Sequence, residues 1–253
     1  MPTALVTGAT AGLGAEFAAQ LAARGHDLVL VARNVVRLDE RRDELVAAHG
    51  VAVETLPADL VTDEGCAAVA ERIARGDIDV LVNNAGMGAY AVFGEADLAR
   101  EEFQLDLNVR AVLRLSHAAV RAMSARGSGR IVNISSVAGF VPRGGNATYS
   151  ASKAWVTMFT EALSVQLADS GVTATAICPG FTHTEFHERA EADMSHVPAR
   201  MWLEASDVVR EGLADAFAGK PVSVPSRRYQ ALVTVARTLP RPLLRAVMAR
   251  RGM

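Results

Sequence analysis

The chain has 253 residues, a formal net charge of −2, 50% hydrophobic residues and 21% charged residues. Because the apolar fraction is ordinary and the charges nearly cancel, the composition excludes wholesale disorder and argues against a nucleic-acid partner. The two cysteines, Cys66 and Cys178, are too few for a disulfide framework. We see no secretory signal and no apolar run of the ~18–20 residues that span a bilayer, so we expect a cytoplasmic protein.

Short apolar, β-branched runs alternate with longer segments of helical period. The predicted strands are residues 4–7, 28–32, 51–56, 80–83, 131–135 and 173–178. The predicted helices are residues 14–24, 35–48, 63–75, 101–126 and 149–170. This alternation predicts an α/β fold, a Rossmann-like doubly wound parallel sheet flanked by helices. No repeat or linker divides the chain, so we expect residues 1–253 to form a single domain.

The organisation changes after Pro179 and Gly180. Residues 181–203 are rich in His, Glu and Met and predict a mobile cover, or lid, followed by a helix that Ser206 caps. Residues 226–253 carry seven arginines, no acidic residue and several leucines and valines. We expect this tail to pack on its own domain or on another subunit; contact with an anionic membrane is the less favoured alternative.

A glycine-rich turn, Thr7-Gly8-Ala9-Thr10-Ala11-Gly12-Leu13-Gly14, lies directly between the first predicted strand and the first predicted helix. Glycines let backbone amides approach a pyrophosphate, and the helix N-terminus adds partial positive charge. A turn without a ligand is the alternative. The strand–turn–helix context favours a dinucleotide site.

Arg33 ends the second predicted strand, where an NAD-preferring site places a carboxylate against the ribose hydroxyls. An arginine can instead bind the 2′-phosphate of NADP. We therefore predict NADP(H) as the preferred cofactor, with NAD(H) as an alternative. The competing interpretation is that Arg33 is a solvated surface arginine.

Tyr149 and Lys153 lie four residues apart on a predicted helix, and Ser136 follows a predicted strand. Residues at this spacing share a helix face, so the ammonium group can lie beside the phenol. A tyrosine with its ordinary pKa near 10 is a poor acid–base group at neutral pH until a fixed cation stabilises the phenolate. Only Lys153 and Lys220 among the 26 cationic residues are lysines. That scarcity weakens the alternative of a solvated surface pair.

The ordered set of motifs resembles the short-chain dehydrogenase/reductase family of the classical type. The motifs are the turn at residues 7–14, Asn83-Asn84-Ala85-Gly86, Ser136, Tyr149-xxx-Lys153 and Pro179-Gly180, and they extend over about the first 185 residues. The resemblance implies a dinucleotide-binding catalytic domain that interconverts a ketone or aldehyde and its alcohol by hydride transfer. Ser135 adjoins Ser136, and the family spacing favours Ser136.

The resemblance also implies roles for single residues. Tyr149 would be the general acid and base, Ser136 would bind the substrate oxygen, and Asn108 would anchor a water. Lys153 would lower the Tyr149 pKa and hold the nicotinamide ribose. The implied cofactor-binding residues are Thr7, Gly8, Ala11, Gly12, Leu13, Gly14, Arg33, Asp59, Leu60, Asn83, Ala85, Gly86, Tyr149, Lys153, Pro179, Gly180 and Thr184.

We expect no metal, because the cofactor carries the hydride chemistry and His183, His187 and His196 match no common zinc spacing. The expected substrate is a small to medium apolar carbonyl compound, and a homo-oligomer is expected. The segment from Lys220 to Pro225 lacks the glycine-rich end with which many relatives build a tetramer. Two other functions compete: a non-catalytic NAD(P) sensor on the same fold, and a membrane-peripheral protein that acts through its basic tail.

Overall fold

The computed structural model describes residues 1–89, 91–190, 194, 195 and 197–250. The strands are β1 (Thr3–Thr7), β2 (Asp27–Ala32), β3 (Val53–Pro57), β4 (Val80–Asn83), β5 (Gly129–Ile134), β6 (Val172–Ile177) and β7 (Val222–Ser223). The helices are α1 (Gly12–Ala22), α2 (Val35–His49), α3 (Asp63–Ala74), α4 (Leu98–Leu105), α5 (Ala111–Arg126), α6 (Ala147–Gln166), α7 (Phe186–Arg189), α8 (Ala205–Phe217), α9 (Arg227–Thr238) and α10 (Arg241–Arg250).

All seven strands form one parallel sheet in the order β3-β2-β1-β4-β5-β6-β7. The predicted α/β fold is therefore confirmed. The strand order reverses between β1 and β4, because the chain runs outward from β1 to β3 and then returns to the other side of β1. A reversal of this kind opens a crevice at the carboxyl ends of the strands.

Each face of the sheet is covered by its own apolar layer. Leu5 and Val6 are neighbours in β1 and belong to different buried clusters, because successive strand side chains point to opposite faces. Phe17 of α1 lies in the cluster of Val6, and Leu115 of α5 lies in that of Leu5. Burial on both faces explains why the strands read as continuous apolar runs.

Three element predictions need correction. The predicted helix 101–126 begins earlier, at Leu98, and a π-helical turn at Asp106–Arg110 separates α4 from α5. Helix α8 begins at Ala205, and its N-cap is Glu204 rather than Ser206. The third strand lies at Val53–Pro57 rather than at 51–56, and β7 was not predicted. Two residues are too few to show a strand pattern, and β7 exists because it pairs with β6.

The lid, residues 181–203, contains α7 and a 3-10 turn at Ala199–Met201. The tail forms α9 and α10, and the helical structure is interrupted between them at Pro240. Tyr229 and Val233 of α9 and Leu244 of α10 are buried, so both helices bury apolar side chains. Among the described residues, no helix is long and apolar enough to cross a membrane.

Candidate active site

A cavity of about 650 Å³ lies at the carboxyl ends of the strands, where the strand order reverses. Its walls come from the glycine-rich turn, the segments that follow β2, β3, β4 and β5, helix α6 and the lid. A cavity of this size is typical of a cofactor or small-molecule site.

The glycine-rich turn has a backbone that side chains would disturb. Gly8 and Gly12 have φ values of +66° and +52°, in the left-handed region that favours glycine. A Cβ atom on Gly14 would lie 2.1 Å from the carbonyl oxygen of Gly8. Helix α1 has Ala11 at its N-cap and no capping side chain, and Ala11, Gly12 and Leu13 line the cavity. The free amides of the first helical turn can therefore bind a phosphate.

Three residues predicted to contact the cofactor, Thr7, Gly14 and Asn83, do not line this cavity. Thr7 is buried, and its Oγ1 accepts hydrogen bonds from the amides of Asn84, at 3.0 Å, and Ala85, at 2.9 Å. Asn83 is also buried and donates to Oδ1 of Asn133 at 2.9 Å. These polar groups join the strand ends beneath the cavity, and the cofactor contacts of the three residues stay predictions. Asn84, which was not predicted, lines it instead.

The end of β2 presents cations to the cavity. Arg33 lines it with a side chain that is 68% exposed, and its Nη1 lies 4.0 Å from Oδ2 of Asp59. Leu60, beside Asp59, is also in the wall. Arg37 lies in the first turn of α2, lines the same cavity and pairs with Glu185 of the lid at 2.9 Å. Arg37 was not predicted as a site residue; its position four residues after Arg33, close to the end of β2, is the signal for it in the sequence.

The two adjacent serines after β5 differ in what their hydroxyl groups contact. Oγ of Ser135 is buried, donates to the carbonyl oxygen of Lys153 at 2.7 Å and lies 2.7 Å from Oγ1 of Thr157. Ser136 lies in the cavity wall, and its Oγ accepts a hydrogen bond from the amide of Ala138 at 3.1 Å. Both serines line the cavity, but the Ser135 hydroxyl bonds to α6, whereas the Ser136 hydroxyl accepts from a residue of its own turn.

Tyr149 and Lys153 line the cavity from the same face of α6 and are 8% and 5% exposed. Nζ of Lys153 lies 5.8 Å from the centroid of the Tyr149 ring and donates to the carbonyl oxygen of Ile134 at 2.9 Å. Burial lowers the pKa of Lys153 to about 8. The Tyr149 ring lies 5.8 Å from the ring of Phe186 in the lid, so an apolar surface borders the phenol.

Asn108 lies behind the cavity wall, within the π-helical turn. Its amide group accepts from the backbone N–H of Met87 at 3.0 Å and donates to the carbonyl of Met87 at 2.8 Å. A Cβ atom on Gly86 would lie 3.0 Å from Oδ1 of Asn108. Asn108 therefore holds in place the segment after β4, which forms part of the wall, and its predicted water-anchoring role stays a prediction.

The lid packs on the cofactor side of the cavity through Thr184. A Cβ atom on Gly12 would lie 3.1 Å from Cβ of Thr184, so this threonine covers the glycine-rich turn. Pro179 and Gly180 line the cavity beside it, and a Cβ atom on Gly180 would lie 2.1 Å from the ring of Tyr229. The predicted cofactor residues Gly8, Ala85 and Gly86 lie in the same wall.

Several aromatic side chains of the lid pack against one another. His183 stacks on Trp202 with ring centroids 4.7 Å apart, and His187 meets the same ring edge-on at 5.2 Å. Burial lowers the pKa of His187, which favours its neutral form at pH 7. His196 lies outside the described residues; within them, no three His, Cys, Asp or Glu side chains could hold a metal ion together.

The comparisons with known proteins agree with this geometry. Residues 2–195 match the family model described as short chain dehydrogenase. An uncharacterized oxidoreductase of Myxococcus xanthus is 35% identical over 260 residues, which cover 98% of this chain and 96% of the relative. The 3-oxoacyl-acyl-carrier-protein reductase of Synechocystis is 37% identical over 212 residues, 81% of this chain and 85% of the relative. A solved short-chain dehydrogenase of Sphingobium yanoikuyae, in complex with NADPH, has a TM-score of 0.86 and 38% identity, with 94% of each chain covered.

Proposed function

The chain belongs to the short-chain dehydrogenase/reductase family of oxidoreductases, and from that premise we propose that it is an NADP(H)-dependent enzyme that interconverts a ketone or aldehyde with the corresponding alcohol. The observation that carries the proposal is the presence of Ser136, Tyr149 and Lys153 in one cavity wall beside an uncapped, glycine-rich helix N-terminus. A cofactor sensor would not need a proton donor at this place.

The side chains divide the chemistry among them. A bound nicotinamide cofactor supplies or accepts the hydride. Tyr149 donates the proton of its phenol to the substrate oxygen during reduction and accepts a proton during oxidation. Ser136 donates a hydrogen bond to the same oxygen and stabilises its negative charge. The Lys153 ammonium stabilises the Tyr149 phenolate through its positive charge.

The described residues fit a dinucleotide along the length of the cavity. The backbone amides at Ala11, Gly12 and Leu13 would bind the pyrophosphate, since no side chain caps them. Asp59 and Leu60 would border the adenosine, and Thr184 with Pro179 and Gly180 would border the nicotinamide. Thr7, Gly14 and Asn83 are not part of this set because they do not line the cavity, and the polar groups of Thr7 and Asn83 bond to neighbouring strand ends.

The preference for NADP(H) is supported by Arg33 and Arg37, which give the adenosine end of the cavity two guanidinium groups. Such groups bind a 2′-phosphate in charge-assisted, forked geometry. The Asp59 carboxylate lies 4.0 Å from Arg33. Because NAD-preferring sites place a carboxylate against the ribose hydroxyls, NAD(H) is retained as a weaker ligand. The NADPH complex of the Sphingobium relative supports the same choice.

The substrate is an apolar carbonyl compound in this proposal. Phe103, Val141, Phe181 and Phe186 border the cavity, and such a surface favours an apolar body around the reacting carbonyl. The Synechocystis relative is named as a reductase of 3-oxoacyl groups, which supports the reducing direction. The proposal also includes a homo-oligomer. Met158 and Val165 are apolar side chains exposed on α6, and they support a contact surface between subunits there.

The experiment that tests the function compares wild type with Tyr149→Phe. NADPH oxidation is measured with a panel of ketones, aldehydes and quinones, and NADPH binding to both proteins is titrated in parallel. We expect wild-type turnover with apolar carbonyl compounds, a loss of about 10²–10⁴-fold in the variant and unchanged cofactor binding. Binding without turnover in either protein would favour the sensor, and absence of binding in both would refute the cofactor assignment.

A further inference from the structure

One ion pair joins the lid to α2 across the cofactor side of the cavity. Glu185 follows Thr184 and forms the N-cap of α7, whereas Arg37 lies in the first turn of α2. Nη2 of Arg37 lies 2.9 Å from Oε1 of Glu185, and Nη1 lies 3.5 Å from Oε2. Both side chains line the cavity. The lid is thus connected to α2 by a forked pair between residues 148 positions apart in the chain.

Glu185 has a second cationic partner on its own helix. Its Oε2 accepts a hydrogen bond from Arg189, which also lines the cavity. The pKa of the Glu185 carboxyl group is held below its ordinary value, by the hydrogen bond from Arg37 first and by Arg189 as well. If Arg37 left, the carboxylate would keep Arg189 as its partner and would not be left unpaired.

Arg37 is placed to reach a different anion. It lies in the first turn of α2, four residues beyond Arg33. Both arginines line the cavity near the end of β2, where a dinucleotide fold places the adenosine ribose. A 2′-phosphate carries more charge than a carboxylate and offers three acceptor oxygens to a guanidinium group. The carboxylate that holds Arg37 is already shared with Arg189. A 2′-phosphate therefore competes well for Arg37.

We propose that Arg37 exchanges partners: it pairs with Glu185 in the free protein and with the 2′-phosphate in the NADP(H) complex, while Glu185 stays on Arg189. Glu185 is then a specificity-determining residue, because it competes with the 2′-phosphate for Arg37 and does not compete with NAD(H). The exchange also frees the lid from α2 only when the cofactor carries that phosphate. The proposal rests on the nicotinamide cofactor proposed above.

The test is a set of dissociation constants at low ionic strength, where charge interactions are least screened. NADPH, NADH and the fragment 2′,5′-ADP are titrated into wild type, Glu185→Gln, Arg37→Gln and the double variant. In Glu185→Gln we expect NADPH and 2′,5′-ADP to bind about three- to fivefold more tightly, the range of a partly exposed ion pair. NADH should change by less than about twofold, since it lacks the phosphate. Arg37→Gln should weaken NADPH and 2′,5′-ADP and leave NADH unchanged.

The double variant distinguishes exchange from simple repulsion between Glu185 and the phosphate. If Glu185 acts by holding Arg37, adding Glu185→Gln to Arg37→Gln has no further effect. If the full tightening persists without Arg37, repulsion explains it and the exchange is refuted. Unchanged NADPH binding in Glu185→Gln, or equal weakening of NADPH and NADH, would also overturn the proposal.

A matched control removes one negative charge from an exposed ion pair elsewhere. Asp207→Asn breaks the pair with Arg210 on α8, outside the cavity wall, and should leave all three constants unchanged. If wild type binds neither NADPH nor NADH, the proposed function itself fails. If wild type binds both and only the variant pattern is absent, the exchange fails and the proposed function stands.

Discussion

Lys153 on α6 donates a hydrogen bond from Nζ to the carbonyl oxygen of Ile134, the last residue of β5, at 2.9 Å. This hydrogen bond holds the ammonium group at the carboxyl end of the sheet. Ile134 itself lies two residues before Ser136 in the chain. None of the described carboxylates forms an ion pair with it. A buried cation without a counter-ion is costly, and its nearest acceptor is a backbone carbonyl.

Replacement of this cation should change how stability depends on pH. Burial lowers the pKa of Lys153 from 10.5 to about 8, so the folded protein binds fewer protons than the unfolded chain between these values. The cost of the buried charge is full below pH 8 and fades as the pH rises. The free energy of unfolding of wild type minus that of Lys153→Met should rise by about 3 kcal/mol from pH 7 to 10.5.

Urea unfolding of both proteins at each pH measures this difference. Burial raises the pKa of Cys178 to about 11, and this thiol acts on Lys153 through its charge, so the same pair is also compared in a Cys178→Ala background, which removes the contribution of the thiol. If the difference in free energy of unfolding between the two proteins does not change from about pH 7 to 10.5, burial does not destabilise the charged form of Lys153.

The two serines after β5 should separate catalysis from stability. Ser136→Ala should lower kcat about 10²–10³-fold with little change in Tm, because Ser136 lies in the cavity wall and its hydroxyl is the proposed donor to the substrate oxygen. Ser135→Ala should lower stability by about 1–2 kcal/mol with a small effect on kcat, because its buried hydroxyl binds Thr157 and the Lys153 carbonyl. Steady-state rates and thermal unfolding of both variants give the comparison, and a reversed pattern would move the substrate contact to Ser135.

Arg33→Asp should discriminate between the two cofactors. The new carboxylate would stand near Asp59 and repel a 2′-phosphate, so the NADPH dissociation constant should rise about tenfold or more. NADH binding should not weaken. Arg42→Asp makes the same charge reversal on α2 outside the cavity wall and is the matched control. Fluorescence titrations that show unchanged NADPH affinity in Arg33→Asp would refute the role of Arg33.

Tyr229 should be needed to position the lid. From α9, its hydroxyl donates to the carbonyl oxygen of Met201 at 2.8 Å and accepts from the amide of Phe181 at 3.1 Å. Tyr229→Phe removes both bonds and should cost about 1–3 kcal/mol of stability. It should also raise KM for the carbonyl substrate more than the NADPH dissociation constant. Equal Tm and KM values in variant and wild type would show that the lid is positioned without this hydroxyl.

Much of the fold was predictable because it is encoded in local periodicity. Alternating apolar runs and helical segments predicted the parallel sheet, and the glycines and the Tyr149–Lys153 spacing predicted one edge of it as a site. The π-helical turn at Asp106–Arg110 was not predicted, because its residues lie within an unbroken helical pattern. Around Asn108, the side chain's two hydrogen bonds to Met87 couple that turn to a segment 21 residues away.

The motifs were found, but the direction of their side chains was not predictable. Thr7 and Asn83 stand within family motifs and yet use their polar groups beneath the cavity, whereas Asn84 lines it. Ser135 and Ser136 are chemically identical and adjacent, and only the packing of α6 against β5 gives them different partners.

The sequence by itself determined the fold class, the family and the edge of the sheet where the site lies, because these depend on residue types at short spacings. Only the tertiary structure decided which motif residues face the cavity and that Arg37 meets Glu185. The reason is physical: contacts over 148 residues and the direction of a side chain depend on how distant elements pack, and periodicity carries no record of that packing.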